Sequence, residues 1–440
     1  MPDILVLGAG TAACGATHHL AAHGIRPVVL EQRAHVGGHA ATFVTPEGFV
    51  FDDGPHISFT SDARIRDLFA ANVDHRYVTF RAEVNNHWRG HWIKHPAQCN
   101  LHGLPTDLLV PLLTELIAAQ HAPAGSATDY EAWLVSTYGR TFAETFPMAY
   151  GRKYHTAPAV RMTTDWLGPR MYRPRLEEVL RGVLEPTTDD VHYVSEFRYP
   201  EDGGFVAYLA PFLRNADVHL GQRVIGVAPR ERVVTTADGR RWPYDGLVSS
   251  LPLPVLVPMI DESPTDVREA AGLLACTQCV VVSIGVARPD LSVAHWSYIY
   301  DDDICFTRVS YPHMFSPGNA PPGTGSIQVE LYFSDKYRPL TVSPDACIAP
   351  VLADLKRIAI LRDDDVVLSV QAWLSPYANV IFDHDRPAAV ATVRSYLADV
   401  GITTCGRYGE WGYHWTDESF ISGETAAEVA LAGHVGTATS

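Results

Sequence analysis

The chain has 440 residues, 47% of them hydrophobic, and a formal charge of −16 from 34 Lys and Arg against 50 Asp and Glu. With the basic residues scattered rather than clustered, that balance excludes a phosphate-tracking surface for nucleic acid. Single hydrophobic cores stop growing beyond roughly 250 to 300 residues, so two domains with a cleft between them are expected, an arrangement that suits an enzyme.

No apolar run approaches the roughly eighteen residues of a membrane span. Met1 is followed almost at once by the strand-like Ile4-Leu5-Val6-Leu7, so no leader is expected. The seven cysteines are thinly spread, as reduced thiols would be. A cytoplasmic protein with a small-molecule substrate, no nucleic acid and no membrane is the expectation, and oligomeric state is not readable.

In chain order, Ile4 to Leu7 predicts a buried strand running into Gly8-Ala9-Gly10-Thr11-Ala12-Ala13, then a helix ended by Gly24, then a second strand from Pro27 to Leu30 closed by Glu31. Gly8 permits a tight turn, Gly10 lets the backbone approach a pyrophosphate at the helix N-terminus, and Ala13 allows close helix-to-strand packing. Glu31 is spaced to accept hydrogen bonds from ribose hydroxyls. This is a dinucleotide fingerprint, and NAD and FAD both use it.

The next stretch, Arg33-Ala-His-Val-Gly37-Gly38-His39-Ala40, sets a glycine pair beside a basic residue. It resembles the second diphosphate-contacting element of the FAD-dependent amine-oxidase-like superfamily, which also holds protoporphyrinogen oxidases, phytoene desaturases and UDP-galactopyranose mutases. That resemblance implies FAD as cofactor, with Arg33, Gly37, Gly38 and His39 beside it. It also implies that FDDGPHISFT, residues 51–60, passes the isoalloxazine ring: Gly54 would allow close approach, Pro55 would stiffen the turn and His56 would sit at the flavin edge. The stretch is similar to the Gly-Pro-His-Ile-Phe-His-Thr of the mutases, with Phe59 where they carry a second histidine.

Farther along, His87, His91 and His95 have helical spacing, but EVNNHWRGHWIKHP reads as a two-stranded hairpin in which they do not converge, so no metal is expected. PTDLLVPLLTELIAAQ and TDYEAWLVSTYG predict a helical part around 104–180. In YGRKYH, Tyr150 and Lys153 match the mutases' Tyr-Thr-x-Lys-Gln-Trp, and His155 replaces the tryptophan. Arg170, Arg173 and Arg175 are candidates for a phosphate clamp or else a solvated face.

Residues 223–252 read as a hairpin with an Ala-Asp-Gly turn before a buried strand, GLVSSLP. The resemblance lays the backbone at Val224 against the adenine. Cys276 and Cys279 have redox-motif spacing but precede the apolar run VVVSIGV instead of opening a helix, and read as structural. CFTRVSYPHMF resembles the mutase strand whose arginine binds the substrate diphosphate, which falls on Arg308. VELYF contributes Tyr332, and SPYANVIFD sets Tyr377 at the mutases' Ala-Tyr-Pro position. In GRYGEWGYHW, Arg407 matches the flavin-binding arginine and Tyr413 a substrate-side tyrosine, while Trp415 stands where an aspartate is usual. The last helix would begin around Ser419 to Ser422 and face the cofactor, and the tail GHVGTATS, residues 433–440, would fray.

The expected fold is α/β. A Rossmann-type FAD-binding domain is assembled from 1–60, 204–255 and 385–440, with a mixed α+β substrate domain from 61–203 and 256–384. The function implied is a sugar-nucleotide mutase working through a reduced-flavin N5 adduct, with His56, Arg170, Arg308, Tyr377 and Tyr413 around the substrate. The alternative is an FAD-dependent oxidoreductase acting on a small polar metabolite.

Overall fold

Ile4–Leu7 is buried on both faces and becomes the middle strand of a five-stranded parallel sheet, ordered Ile402–Thr404, Gly246–Ser249, Ile4–Leu7, Val28–Leu30, Asp217–His219. The computed structural model describes residues 3–121, 127–186, 188–189, 191 and 193–437. Period-two alternation splits the central strand between two cores: Ile4 and Val6 pack with Ala13 and Phe420, Leu5 and Leu7 with Leu247 and Leu253. Helices Thr11–Ala22 and Thr416–Thr437 pack against each other beside this sheet. They cross on glycines: a Cβ on Gly15 would lie 1.9 Å from the Phe420 carbonyl oxygen, and one on Gly423 1.9 Å from that of Ala12.

The second sheet has seven strands, ordered Val367–Ser375, Gln278–Val286, Gly325–Phe333, Arg308–Ser310, Trp296–Ile299, Val84–Trp88, His91–Lys94. One face presents Val280, Val282, Val309, Ile327, Val329 and Leu331 to a core closed by Val351 and Leu355 of helix Ile348–Arg357. The other face carries Cys279, Val281, Tyr298, Arg308, Glu330 and Tyr332, and all of these line one large cavity. Strict alternation therefore sends apolar residues to a core and polar ones to a site.

The helical part consists of Thr106–His121, Tyr130–Tyr138, Arg140–Thr145, Pro147–Tyr154 and Leu176–Leu184. The EVNNHWRGHWIKHP hairpin forms as Val84–Trp88 against His91–Lys94. Its histidines are engaged separately, His87 with Asp301 at 2.8 Å and His95 with Asn86 at 2.9 Å. Among the described residues no group of three His, Cys, Asp or Glu side chains could hold a metal ion, and no helix is long and apolar enough to cross a membrane.

Three expectations need correction. Residues 223–243 form a three-stranded antiparallel sheet, Val224–Ala228, Val233–Thr236 and Arg241–Pro243, not a single hairpin. The chain reverses first near Arg232, at φ 53°, and again at the Ala-Asp-Gly turn. The last helix starts at Thr416, because the Glu418 carboxylate accepts the Trp415 N–H at 2.7 Å; Ser422 therefore lies well inside it. That helix also continues through Thr437, so residues 433–437 are helical, and 438–440 lie outside the described residues.

Candidate active site

The first strand turns into its helix at Gly8, where φ is 92° and a Cβ would sit 2.5 Å from Ser250 Oγ. Gly10 precedes a helix with no side-chain cap, so the first-turn amides of that helix open on the cavity. The Gly37 N–H donates to the Ala9 carbonyl at 2.9 Å, which ties the Gly37-Gly38 turn to the first one. A Cβ on Gly38 would approach Gly10 Cα to 3.0 Å. Glu31 is buried and accepts the Ala9 and Arg33 N–H groups at 2.9 and 2.8 Å, which fixes its carboxylate beside the turn.

Gly8, Gly10, Glu31, Arg33, Gly38, His39, Gly54, Pro55, His56, Val224, Arg407 and Ser419 all line a single cavity of about 970 Å³. Arg170, Arg308, Tyr377 and Tyr413 line it too. Three candidates do not. Ala13 is fully buried in the helix packing, and Gly37 holds the turn from behind. Ser422 accepts the Gly406 N–H at 2.9 Å and donates to Glu410 at 2.5 Å, which locks the turn ahead of the helix.

At the FDDGPHISFT turn, Asp53 accepts from Arg33 at 2.9 Å and from the Trp373 indole at 2.7 Å. His56 Nδ1 lies 2.8 Å from the Gly54 carbonyl. A carbonyl only accepts, so Nδ1 carries the proton and Nε2 is left as an acceptor. Burial lowers the pKa of His56 and keeps the ring neutral; burial does the same to His39, down to about 4.

The rest of the wall is rich in tyrosine. The Tyr154 hydroxyl bonds Asn379 at 3.0 Å and the Tyr413 hydroxyl at 2.8 Å. Tyr150, Tyr193, Tyr298, Tyr300 and Tyr332 also line the cavity, and burial raises every one of these five hydroxyls, which therefore stay protonated. Arg170 lies 4.2 Å from the Tyr413 ring centroid and 4.5 Å from that of Trp415, donates to the Tyr413 carbonyl at 2.8 Å, and has a buried Nε with no partner among the described residues. Of its neighbours in sequence, Arg173 lies over Trp133 and Arg175 pairs with Glu178, so the clamp expectation narrows to Arg170. Arg407 donates to the His414 and Ala378 carbonyls.

Lys153 faces away from the cavity and donates to the Ile299 and Asp301 carbonyls; burial brings it down to about 8. His155 is on the cavity wall, buried, brought down to about 3, and its Nδ1 has no partner among the described residues. Cys279 also lines the cavity, but burial holds its thiol far above the ordinary range, which leaves it inert.

Asp53, Tyr154, Tyr193, Tyr298 and Glu330 were not singled out from the sequence. Glu330 had a signal, the alternation of SIQVELYF, which marks Gln328, Glu330 and Tyr332 as one face.

A glycine turn at an uncapped helix N-terminus, a carboxylate two strands in, and a polar cavity continuous with both define a dinucleotide-binding enzyme of the doubly wound kind. The sequence model of the flavin containing amine oxidoreductase family matches residues 16–431, and the chain belongs to that family. FAD is the cofactor. Among solved structures, a reduced UDP-galactopyranose mutase superposes with a TM-score of 0.92 over 98% of this chain and 96% of that one, at 24% identity. A proposed protoporphyrinogen oxidase from Exiguobacterium sp. 255-15 follows at 0.74, 15% identity and 99% of each chain. A redesigned putrescine oxidase reaches 0.64 at 15% identity over 98% of this chain and 99% of that one. At these identities the likeness is one of fold.

The residues present fit FAD. The uncapped helix N-terminus at Gly10 and the Gly38 turn suit a pyrophosphate, Glu31 a ribose, and the Val224 strand an adenine.

Proposed function

We propose that this flavoenzyme is a mutase that rearranges the sugar ring of a nucleotide sugar, pyranose to furanose or a related change. The observation that carries this reading is the pair of guanidinium groups, Arg170 and Arg308, set among the hydroxyls of Tyr154, Tyr298, Tyr332 and Tyr413 on one cavity wall. Such a wall suits a diphosphate and a polyol better than a porphyrin or a carotenoid. In this reading 1–60, 204–255 and 385–440 form the cofactor half, and 61–203 with 256–384 the substrate half.

Bound and reduced, FAD supplies the electron pair for substitution at the sugar's anomeric carbon without net oxidation. The chain's own residues do the rest. Arg170 and Arg308 balance the charge that collects on the diphosphate as it leaves. Tyr154 and Tyr413, linked at 2.8 Å, present hydroxyls that can each donate or accept. Tyr377 lines the same cavity and orients the substrate from the far side of Tyr408, which donates to its carbonyl at 3.0 Å. Neutral His56 offers Nε2 as an acceptor near the cofactor. Phe59, Tyr193 and Trp415, with ring centroids 5.0 to 6.0 Å apart, form an aromatic cluster on the cavity wall.

A second reading, an oxidase of small amines, is favoured by one observation: Phe59, His155 and Trp415, where the mutase pattern has a histidine, a tryptophan and an aspartate, all line the cavity. Incubating the dithionite-reduced holoenzyme anaerobically with UDP-, GDP- and dTDP-sugars separates the two. The mutase reading expects an isomeric product on chromatography only with reduced enzyme and no consumption of reductant. Sugars returned unchanged, together with oxygen uptake by the oxidised enzyme on amines, would overturn it.

A further inference from the structure

Arg308–Ser310 and Gly325–Phe333 run antiparallel with Arg308 directly opposite Glu330, on the sheet face that lines the cavity. Glu330 is 4% exposed. It takes Arg308 in a two-point pair, Nε–H to Oε2 and Nη2–H to Oε1, the latter at 2.8 Å, and Oε1 also accepts the Tyr332 hydroxyl at 2.7 Å. The edge of the guanidinium best shaped for a carboxylate or phosphate is thus occupied by the protein itself. Arg170, by contrast, is held by rings and backbone carbonyls. Glu330 thus offsets one of the two guanidinium groups assigned to the diphosphate.

We propose that Glu330 sets how tightly the substrate end holds an anion: by occupying one edge of Arg308 it fixes the direction of the guanidinium and offsets its charge, so that a nucleoside diphosphate is oriented there but can leave. The choice of ligand rests on the nucleotide-sugar reading. In a cavity of low dielectric, a carboxylate in contact with a guanidinium cancels most of the field that a nearby phosphate would feel. With the site empty, the same pairing spares Arg308 a buried, uncompensated charge. Because affinity among closely related interfaces is set mostly by departure rates, a site that must release its product gains turnover from such an offset. Glu330 is then a positioning residue that acts through Arg308.

The test uses FAD-loaded full-length protein: wild type, Glu330→Gln, Arg308→Gln and the double variant, titrated calorimetrically with UDP and, separately, with inorganic pyrophosphate. Glu330→Gln is expected to bind UDP about tenfold or more tightly, with steeper salt dependence and with KM and kcat for the nucleotide sugar both lowered. A residue whose role is only structural does not tighten binding when removed. Arg308→Gln leaves a bare carboxylate and is expected to lose UDP binding about a hundredfold; the double variant removes a neutral pair and is expected to return to within about threefold of wild type. Where the wild type binds UDP, unchanged or weaker UDP binding by a flavin-loaded Glu330→Gln overturns the proposal. If that variant does not hold flavin, a double variant that binds no better than Arg308→Gln overturns it instead. Failure of the nucleotide-sugar reading looks different: UDP then binds no variant, while pyrophosphate still tightens on Glu330→Gln if the offset is real. No gain for either anion overturns the offset itself.

Discussion

Arg170 is held by faces rather than by a counter-ion. Its guanidinium lies over the Tyr413 and Trp415 rings and donates to the Tyr413 and Trp166 carbonyls, and its Nε is buried without a partner among the described residues. A planar cation is needed for that stacking, and an ammonium does not reproduce it. Arg170→Lys is expected to raise KM for the anionic substrate about tenfold, and Arg170→Ala by more, with the flavin-to-protein ratio unchanged in both. Steady-state kinetics with a flavin assay checks this, and loss of flavin in parallel would mean that Arg170 serves the fold and not the substrate. From the sequence, Arg170 could not be separated from Arg173 and Arg175, because what distinguishes them is the partner each meets: Trp415 and Tyr413, Trp133, and Glu178. Glu330 was hidden for a related reason. Its meaning comes from Arg308, a residue 22 positions away that only strand register brings opposite it.

The helix pair Thr11–Ala22 and Thr416–Thr437 shows the same limit at the level of elements. The first strand, turn, helix and second strand were legible because every contact that defines them falls within about thirty residues. The crossing with the last helix was not, because it joins residues some four hundred positions apart, and the clue was only a glycine inside a helix. At Gly423 an added methyl would meet the Ala12 carbonyl at 1.9 Å, which the backbones cannot accommodate without moving apart. Gly423→Ala is therefore expected to destabilise the protein by about 3 kcal/mol and to reduce flavin occupancy, since Ala12 belongs to the first turn of the helix that follows Gly10. Gly272, inside helix Thr265–Leu273, is the control, since a methyl added there would have nothing within 4 Å. There Gly→Ala is expected to stabilise by about 0.5–1 kcal/mol. Thermal melts of the two holoproteins check both signs.

At the scale of the whole molecule, Asp52 and Asp53 fasten the parts together. The Asp52 carboxylate accepts from Thr42 of its own hairpin at 2.6 Å, from Tyr199 at 2.7 Å and from the Phe205 N–H at 3.1 Å, while its carbonyl accepts Gln328 of the seven-stranded sheet at 2.8 Å. Asp53 joins Arg33 of the nucleotide unit to Trp373 on the edge strand of the same sheet. The paired carboxylates of FDDGPHISFT thus hold the junction across which the His56 turn is stretched. Burial outweighs the three hydrogen bonds and pushes Asp52 up to about 6 from its ordinary 3.8. Between those values the native state keeps a proton that the unfolded chain has lost, so this carboxyl's contribution is greatest below about pH 4, falls as pH rises through about 6, and is constant above. The loss is at most about 3 kcal/mol. In Asp52→Asn the amide oxygen still accepts Thr42 and Phe205, and the NH₂ can donate to the Tyr199 hydroxyl, as the protonated acid does. The variant should therefore match wild type near about pH 4 and exceed it near about pH 7, with chemical unfolding of the holoprotein at both as the measurement. A stability difference that does not change with pH would mean that Asp52 is ionised throughout and that its three donors, not its proton, hold the junction.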